Sequence, residues 1–180
     1  MKTRKFNDEV LYPAEQPVVL DRAFVEELKR QADLNPRRRI RICAHEDPGE
    51  PIHEMLIVHA RMTYVRPHKH LTRIESFHVV EGEADMVMFD EQGEIARVIR
   101  MGPFGSGQPF YYRLAGPVYH TLLIYTPHLV FKEVTNGPFN RADTAFPAWA
   151  PEDGQAGEAA RYLAQLEARV KARRGSTWMK

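Results

Sequence analysis

The sequence predicts an all-β fold: a single small β-barrel or sandwich with a helix near each end. Three observations carry this. Apolar residues in the middle of the chain recur with a period of two. Thirteen prolines and eleven glycines in 180 residues cut that region into short segments. A helical period of 3.6 shows only towards the two ends. The length suits one domain with a substantial core.

Each element follows from the pattern. Asp21 reads as an N-cap, Phe24, Val25, Leu28 and Ala32 form a helical stripe, and Asn35-Pro36 ends it. Strand periodicity begins near Arg38. Residues 54–66 read as a long strand, with Leu56, Val58, Ala60, Met62 and Tyr64 on the parity of His68 and His70. Strands follow at 76–81, 84–90 and 94–101, the last two joined by the turn Glu91-Gln92-Gly93. A Gly- and Pro-rich loop spans 102–109, and further strands cover 110–114, 120–125 and 129–134. From about 154 to 173, Leu163, Leu166 and Val170 share one face of an amphipathic helix with a basic end.

Seven or eight short strands fit a jelly roll of two four-stranded sheets. The expected organisation is an N-terminal strand–helix extension (1–36), the barrel (37–151), and a C-terminal helix with a basic tail (152–180). Leu56, Val58, Met62, Phe77, Val79 and Leu122 are the expected inward residues.

Basic and acidic residues nearly cancel, 25 against 24, so no global field favours nucleic acid or a membrane surface. There is no helix-turn-helix pattern, and the arginine run lacks interleaved aromatics. Cys43 is the only cysteine, which excludes an internal disulfide and a thiolate cluster. No stretch approaches the roughly 20 apolar residues of a spanning helix. The basic start, Met1 to Lys5, is not followed by an apolar run, so a cytoplasmic location is the expectation.

The chemistry is concentrated in His68-Lys69-His70, then Glu75 and Gly82, an H-x-H-x4-E-x6-G spacing. Alternation in a strand puts His68 and His70 on one face, and Glu75 follows after a bend. Two imidazoles and a carboxylate suit Zn, Mn, Fe or Ni, and His120 is the candidate that completes the set. One divalent ion per chain is the expected cofactor.

Pro67 to Glu75, followed by Gly82, resembles the first metal-binding motif of the cupin superfamily, and His120 resembles the histidine of the second. Met62 stands where the first motif usually has its early glycine. The stretches Arg37-Arg38-Arg39, Cys43-Ala44-His45, Pro67 to His70, Glu75 to Val79, Glu133 to Phe139 and Trp149-Ala150-Pro151 are similar to the WbuC-type cupin metalloproteins. The resemblance implies a cupin jelly-roll barrel, metal ligands His68, His70, Glu75 and His120, and a homodimer. It also implies an association with bacterial surface-polysaccharide metabolism.

Around this centre, Arg39 and Arg41 share a strand face and are candidates for binding a carboxylate or phosphate through bidentate bonds. Tyr112 is a candidate substrate contact, and His45 the candidate general base. His53 and His128 read as surface residues beside turns, and His59 and His78 as outward-facing or lodged against a terminal element.

Two functions follow from these residues. One is a metal-dependent enzyme acting on a sugar or sugar-derived acid, by isomerase, epimerase or lyase chemistry, or by iron-dependent oxygenation. The other is a non-catalytic module that binds a saccharide or another anion, with a structural or ligand-anchoring metal. Both take a small-molecule partner.

Overall fold

In the computed structural model, which describes residues 1–177, the protein is a four-layer sandwich of helix, sheet, sheet and helix. The chain runs β1 (Thr3–Asn7), β2 (Val10–Pro13), α1 (Arg22–Leu34), β3 (Arg39–Cys43), β4 (Ile52–Ala60), β5 (Lys69–His70) and β6 (Ile74–Glu81). It continues as β7 (Ala84–Phe89), β8 (Ile95–Met101), β9 (Tyr111–Ala115), β10 (Tyr119–Ile124), β11 (His128–Asn136), β12 (Thr144–Ala145) and α2 (Ala156–Thr177). The large sheet has the order β1-β2-β3-β4-β11-β6-β9, the small one β10-β7-β8, and β12 pairs with β5 alone.

The ladders therefore do not close into the expected barrel. The chain changes sheet instead, notably at Gly82. This residue has φ +88°, and a Cβ there would meet the His128 carbonyl at 2.2 Å. Only glycine supplies that backbone conformation in so tight a crossing. The N-terminal segment adds two strands to the large sheet, through a parallel pairing of β2 with β3.

Alternation sorts the apolar residues into three clusters. Between the sheets lie Met55, Ile57, Phe77, Val79, Met86, Leu122 and Phe131. Under α1 lie Leu28, Ala32, Ile40, Ile42, Val58 and Val130. Under α2, Val87, Phe89, Tyr119 and Leu123 meet Leu163, Leu166 and Val170. Each fully buried aliphatic or aromatic side chain contributes about 1.5–3 kcal/mol to stability.

The first helix starts and ends where physical chemistry directs. The Asp21 side chain accepts the Phe24 N–H at 2.8 Å, and Asn35 closes α1. Near the end of α2, Arg174 reaches the fully buried Asp85, which also accepts from the Tyr125 hydroxyl at 2.5 Å. The last three residues of the expected basic tail lie outside the described residues.

Three expectations need correction. The strand expected over 54–66 stops at Ala60, because Met62 turns the chain with φ +70° and the Thr63 hydroxyl caps the Ala60 carbonyl at 2.7 Å. Met62 is consequently 57% exposed rather than core. Leu56 and Val58 pack under α1, not between the sheets, since the odd residues Met55, Ile57 and His59 take the inner face. His53, expected at the surface, and His59, expected outward or against a terminal element, are both buried.

Candidate metal centre

His68 and His120 come from segments 52 residues apart in sequence and are joined by a two-way backbone bridge. The His68 N–H donates to the His120 carbonyl at 3.2 Å, and the His120 N–H donates to the His68 carbonyl at 2.9 Å. β5, which ends at His70, is held by β12, with Thr144 opposite His70. The loop from His70 to Glu75 is fastened by Asp143, which accepts from the Thr72 N–H at 2.8 Å and the Thr72 hydroxyl at 2.6 Å.

One ligand atom from each of His68, His70 and His120 lies within 4.8 Å of the other two. The opposite ring nitrogens are engaged elsewhere. The Nδ1 atoms of His68 and His120 lie 2.9 Å from the carbonyls of Arg66 and Val118, and Nδ1 of His70 lies 3.3 Å from the Thr144 hydroxyl. An Nδ1–H committed to a carbonyl leaves Nε2 with its lone pair, the form that coordinates a metal. These three residues fit a divalent cation.

Glu75 adjoins the cluster. Its oxygens lie 3.5 Å from Nε2 of His70 and 3.2 Å from Nε2 of His120, and it accepts from the Tyr112 hydroxyl at 3.0 Å. The electrostatics match. Burial lowers the pKa of His68 to about 3 and also lowers that of His70. Burial opposes ionisation of Glu75, but the surrounding histidines, His120 foremost, outweigh it and hold its pKa at about 2. Burial likewise opposes protonation of His120, and the Glu75 carboxylate overcomes it, raising the His120 pKa. A divalent ion bound here would take the place of that proton.

Of the other expected site residues, Tyr112, Arg41 and Arg39 lie on the large sheet, and His45 lies in the loop after β3. Tyr112 belongs to the centre: its ring stacks on Phe77 at 5.2 Å, and burial followed by Glu75 raises its pKa. Arg41 faces inward on β3, paired with Ile57. Arg39 sits at the opposite end of the face, beside His59, and donates to Glu9 at 2.8 Å. His45 is outside the histidine cluster. It stacks on His53 at 4.1 Å, and its Nδ1 lies 3.1 Å from the Glu54 carbonyl.

Glu133 escaped the sequence-based site. It faces inward on β11 between Met55 and Phe77, and no described residue hydrogen-bonds its carboxyl group. Burial, then Glu75, pushes its pKa up to about 7, against the pull of Arg41, His120 and Arg73. The signal was present: alternation from 129 to 135 places Glu133 and Thr135 on the same face as the core residues Leu129 and Phe131.

A family model described as a domain of unknown function, DUF6016, matches residues 20–101, less than half of the chain. No curated protein matches. Among solved structures, the chain is similar to the capsular polysaccharide assembling protein CapF from Staphylococcus aureus. That match has 16% identity and a TM-score of 0.48, covering 59% of this chain and 31% of CapF. It is also similar to the oxalate decarboxylase of Lactobacillus farciminis in its formate complex. Here identity is 15% and the TM-score 0.43, with 54% of this chain and 27% of that one covered. The chain thus spans about a quarter to a third of the length of these two structures.

Proposed function

We propose that the protein is a cupin-type, WbuC-like metal-dependent enzyme acting on a sugar or sugar-derived acid in bacterial surface-polysaccharide metabolism. One divalent ion, held by His68, His70 and His120 with Glu75 as fourth ligand, is its cofactor. The observation that supports this most directly is the convergence of three imidazoles whose Nδ1 atoms are already engaged. Such an ion supplies Lewis-acid polarisation of a carbonyl, which suits isomerisation, epimerisation or elimination.

The chain's own residues have separable roles in this reading. Tyr112 holds Glu75 in position. Arg41 attracts an anionic group on the substrate. Glu133, whose pKa burial raises towards neutrality, is better placed than His45 to move a proton at the inner face. Arg39 is already paired with Glu9, so its part is to support β3. The protein acts in the cytoplasm as a homodimer.

The reading is tested by proton NMR in deuterated water, with metal-stripped and metal-reloaded protein and a panel of aldoses, ketoses and uronic acids. Metal-dependent exchange of a carbon-bound proton for deuterium is the expected result. Metal-dependent oxygen uptake without exchange would favour the oxygenase branch. Absence of turnover with every substrate, despite saturable binding, would make the protein a metal-anchored saccharide-binding module.

A further inference from the structure

The arginine run contains one member unlike its neighbours. Arg37 pairs with Glu9 and Asp153, Arg38 with Asp33, and Arg39 with Glu9. Among the described residues no carboxylate pairs with Arg41, and its Nε is buried without a hydrogen-bond partner. Its other neighbours point into the sandwich: it lowers the pKa of Glu133, acts on His45, and meets the Cys43 thiol through a side-chain hydrogen bond.

Two further unpartnered groups occur on the same inner face. Thr135 is 6% exposed and His53 is 5% exposed, and neither the Thr135 Oγ1 nor the His53 Nε2 has a partner among the described residues. Strand register makes them neighbours. Glu75 pairs with Thr135 across β6 and β11, and Thr135 pairs with His53 across β11 and β4. A polar row thus leads from the metal centre through Thr135 to His53, about 10 Å across two strand spacings.

Buried donors and acceptors in native proteins are almost always satisfied, and an orphan is costly to keep. Unpartnered groups on one face, beside a cluster of metal-ligating side chains, are what a site shows when its ligand supplies the partners. A guanidinium with no carboxylate within ion-pair distance among the described residues, only Glu133 further along the face, has room for an anion, and its planar fork matches a carboxylate. A threonine hydroxyl and an imidazole nitrogen call for hydroxyls.

We infer that Arg41, His53 and Thr135 form a subsite for the distal end of a hydroxylated carboxylic acid, Arg41 taking the carboxylate and His53 and Thr135 its hydroxyls. The position of the ligand's other end, at His68, His70 and His120, rests on the function proposed above. Glu133 lines the path between the two ends and discriminates against an anion bound in the reverse sense.

The test is calorimetric titration of the metal-loaded protein with D-glucuronate, with neutral D-glucose and glucose 1-phosphate as comparisons. D-Glucuronate is expected to bind at least 10-fold more tightly than glucose. Arg41→Gln should weaken it at least 10-fold, with metal content unchanged. Thr135→Val is the sharper variant. It removes a buried hydroxyl that has no partner, so the melting temperature should hold or rise, while D-glucuronate affinity falls at least 3-fold.

Glucuronate binding no tighter than glucose would overturn the inference, as would wild-type affinity in both variants. Tighter binding of glucose 1-phosphate, lost in Arg41→Gln, would overturn the carboxylate class. The proposed function fails separately. A protein that takes up no metal yet binds glucuronate through Arg41 refutes the metal centre and keeps the subsite. Uptake of metal without glucuronate binding does the reverse.

Discussion

His68 and His120 each donate a backbone hydrogen bond to the other, at 3.2 and 2.9 Å, while their rings stand 4.5 Å apart. The bridge links the small sheet, through β10, to the segment that carries His70. Two candidate ligands from distant parts of the chain are thereby fixed by main-chain geometry rather than by side-chain packing. Their Nδ1 atoms each lie 2.9 Å from a carbonyl two residues earlier, Arg66 for His68 and Val118 for His120. The same local device sets both rings, and it leaves both Nε2 atoms available.

Tyr112 should matter through Glu75. Its hydroxyl is the hydrogen-bond donor that orients the carboxylate towards His120. Removal of such an outer partner typically costs 10–100-fold in metal affinity. Tyr112→Phe should therefore bind metal roughly 10-fold more weakly in competition with a chelator, with the fold intact by circular dichroism. Unchanged affinity would show that Glu75 needs no such support.

Asp85 anchors α2. It is fully buried and is met by Tyr125, Arg174 and Arg100. Replacing Asp85 leaves Arg174 and Arg100 partly solvated, with Arg100 still paired to Glu83, and strands the Tyr125 hydroxyl, at about 1–3 kcal/mol. Asp85→Ala should lose stability of that order in urea denaturation, with amide exchange rising first in the last turns of α2. Uniform exchange across both helices would contradict the anchoring role.

His59 makes the fold sensitive to acid. Burial, aided by Arg39 and Arg41, lowers its pKa from 6.5 to about 3. Because the folded value is depressed, the unfolded chain takes up the proton first. Stability from this group is full above pH 6.5 and is lost as the pH falls towards about 3, by at most about 1.4 kcal/mol per pH unit. His59→Phe should flatten the stability profile between pH 6 and 4, measured by urea denaturation at each pH. A profile parallel to the parent's would remove His59 from the account.

Gly82 is a crossing point that admits no side chain. At φ +88°, an added Cβ would lie 2.2 Å from the His128 carbonyl and 2.6 Å from the Thr126 hydroxyl. Gly82→Ala combines left-handed strain with a main-chain clash and should cost about 2–4 kcal/mol. A loss below 0.5 kcal/mol, by thermal or chemical denaturation, would mean the crossing readily rearranges.

Much of this was readable from residue spacing, and what was not has identifiable causes. The α1 cap at Asp21 and the α2 face of Leu163, Leu166 and Val170 follow local rules that tertiary context did not override. The approach of His68, His70 and Glu75 to one another was legible because their spacing leaves only a short loop between them. The end of β4 was not, because Met62 takes a left-handed conformation that its side chain does not advertise, at a position where the resembling motif usually has glycine. His53, His59 and Glu133 were misplaced or missed for other reasons. His59 was misplaced because parity was counted through Met62 and Tyr64, beyond the end of β4. His53 was read as a turn-side surface residue and Glu133 was passed over, although alternation along β4 and β11 turns both inward. Two sheets were expected, but their unequal sizes, seven strands against three, were hidden, since these depend on where crossings such as Gly82 fall rather than on strand count.

The central claim is that this constellation holds a metal ion. Its most direct test is elemental analysis of freshly purified protein beside His68→Ala, each also measured after chelator treatment and reloading. The account predicts close to one transition-metal ion per chain in the parent and loss of most of it in the variant. Absence of metal from the parent even after reloading, or equal occupancy in His68→Ala, would contradict it.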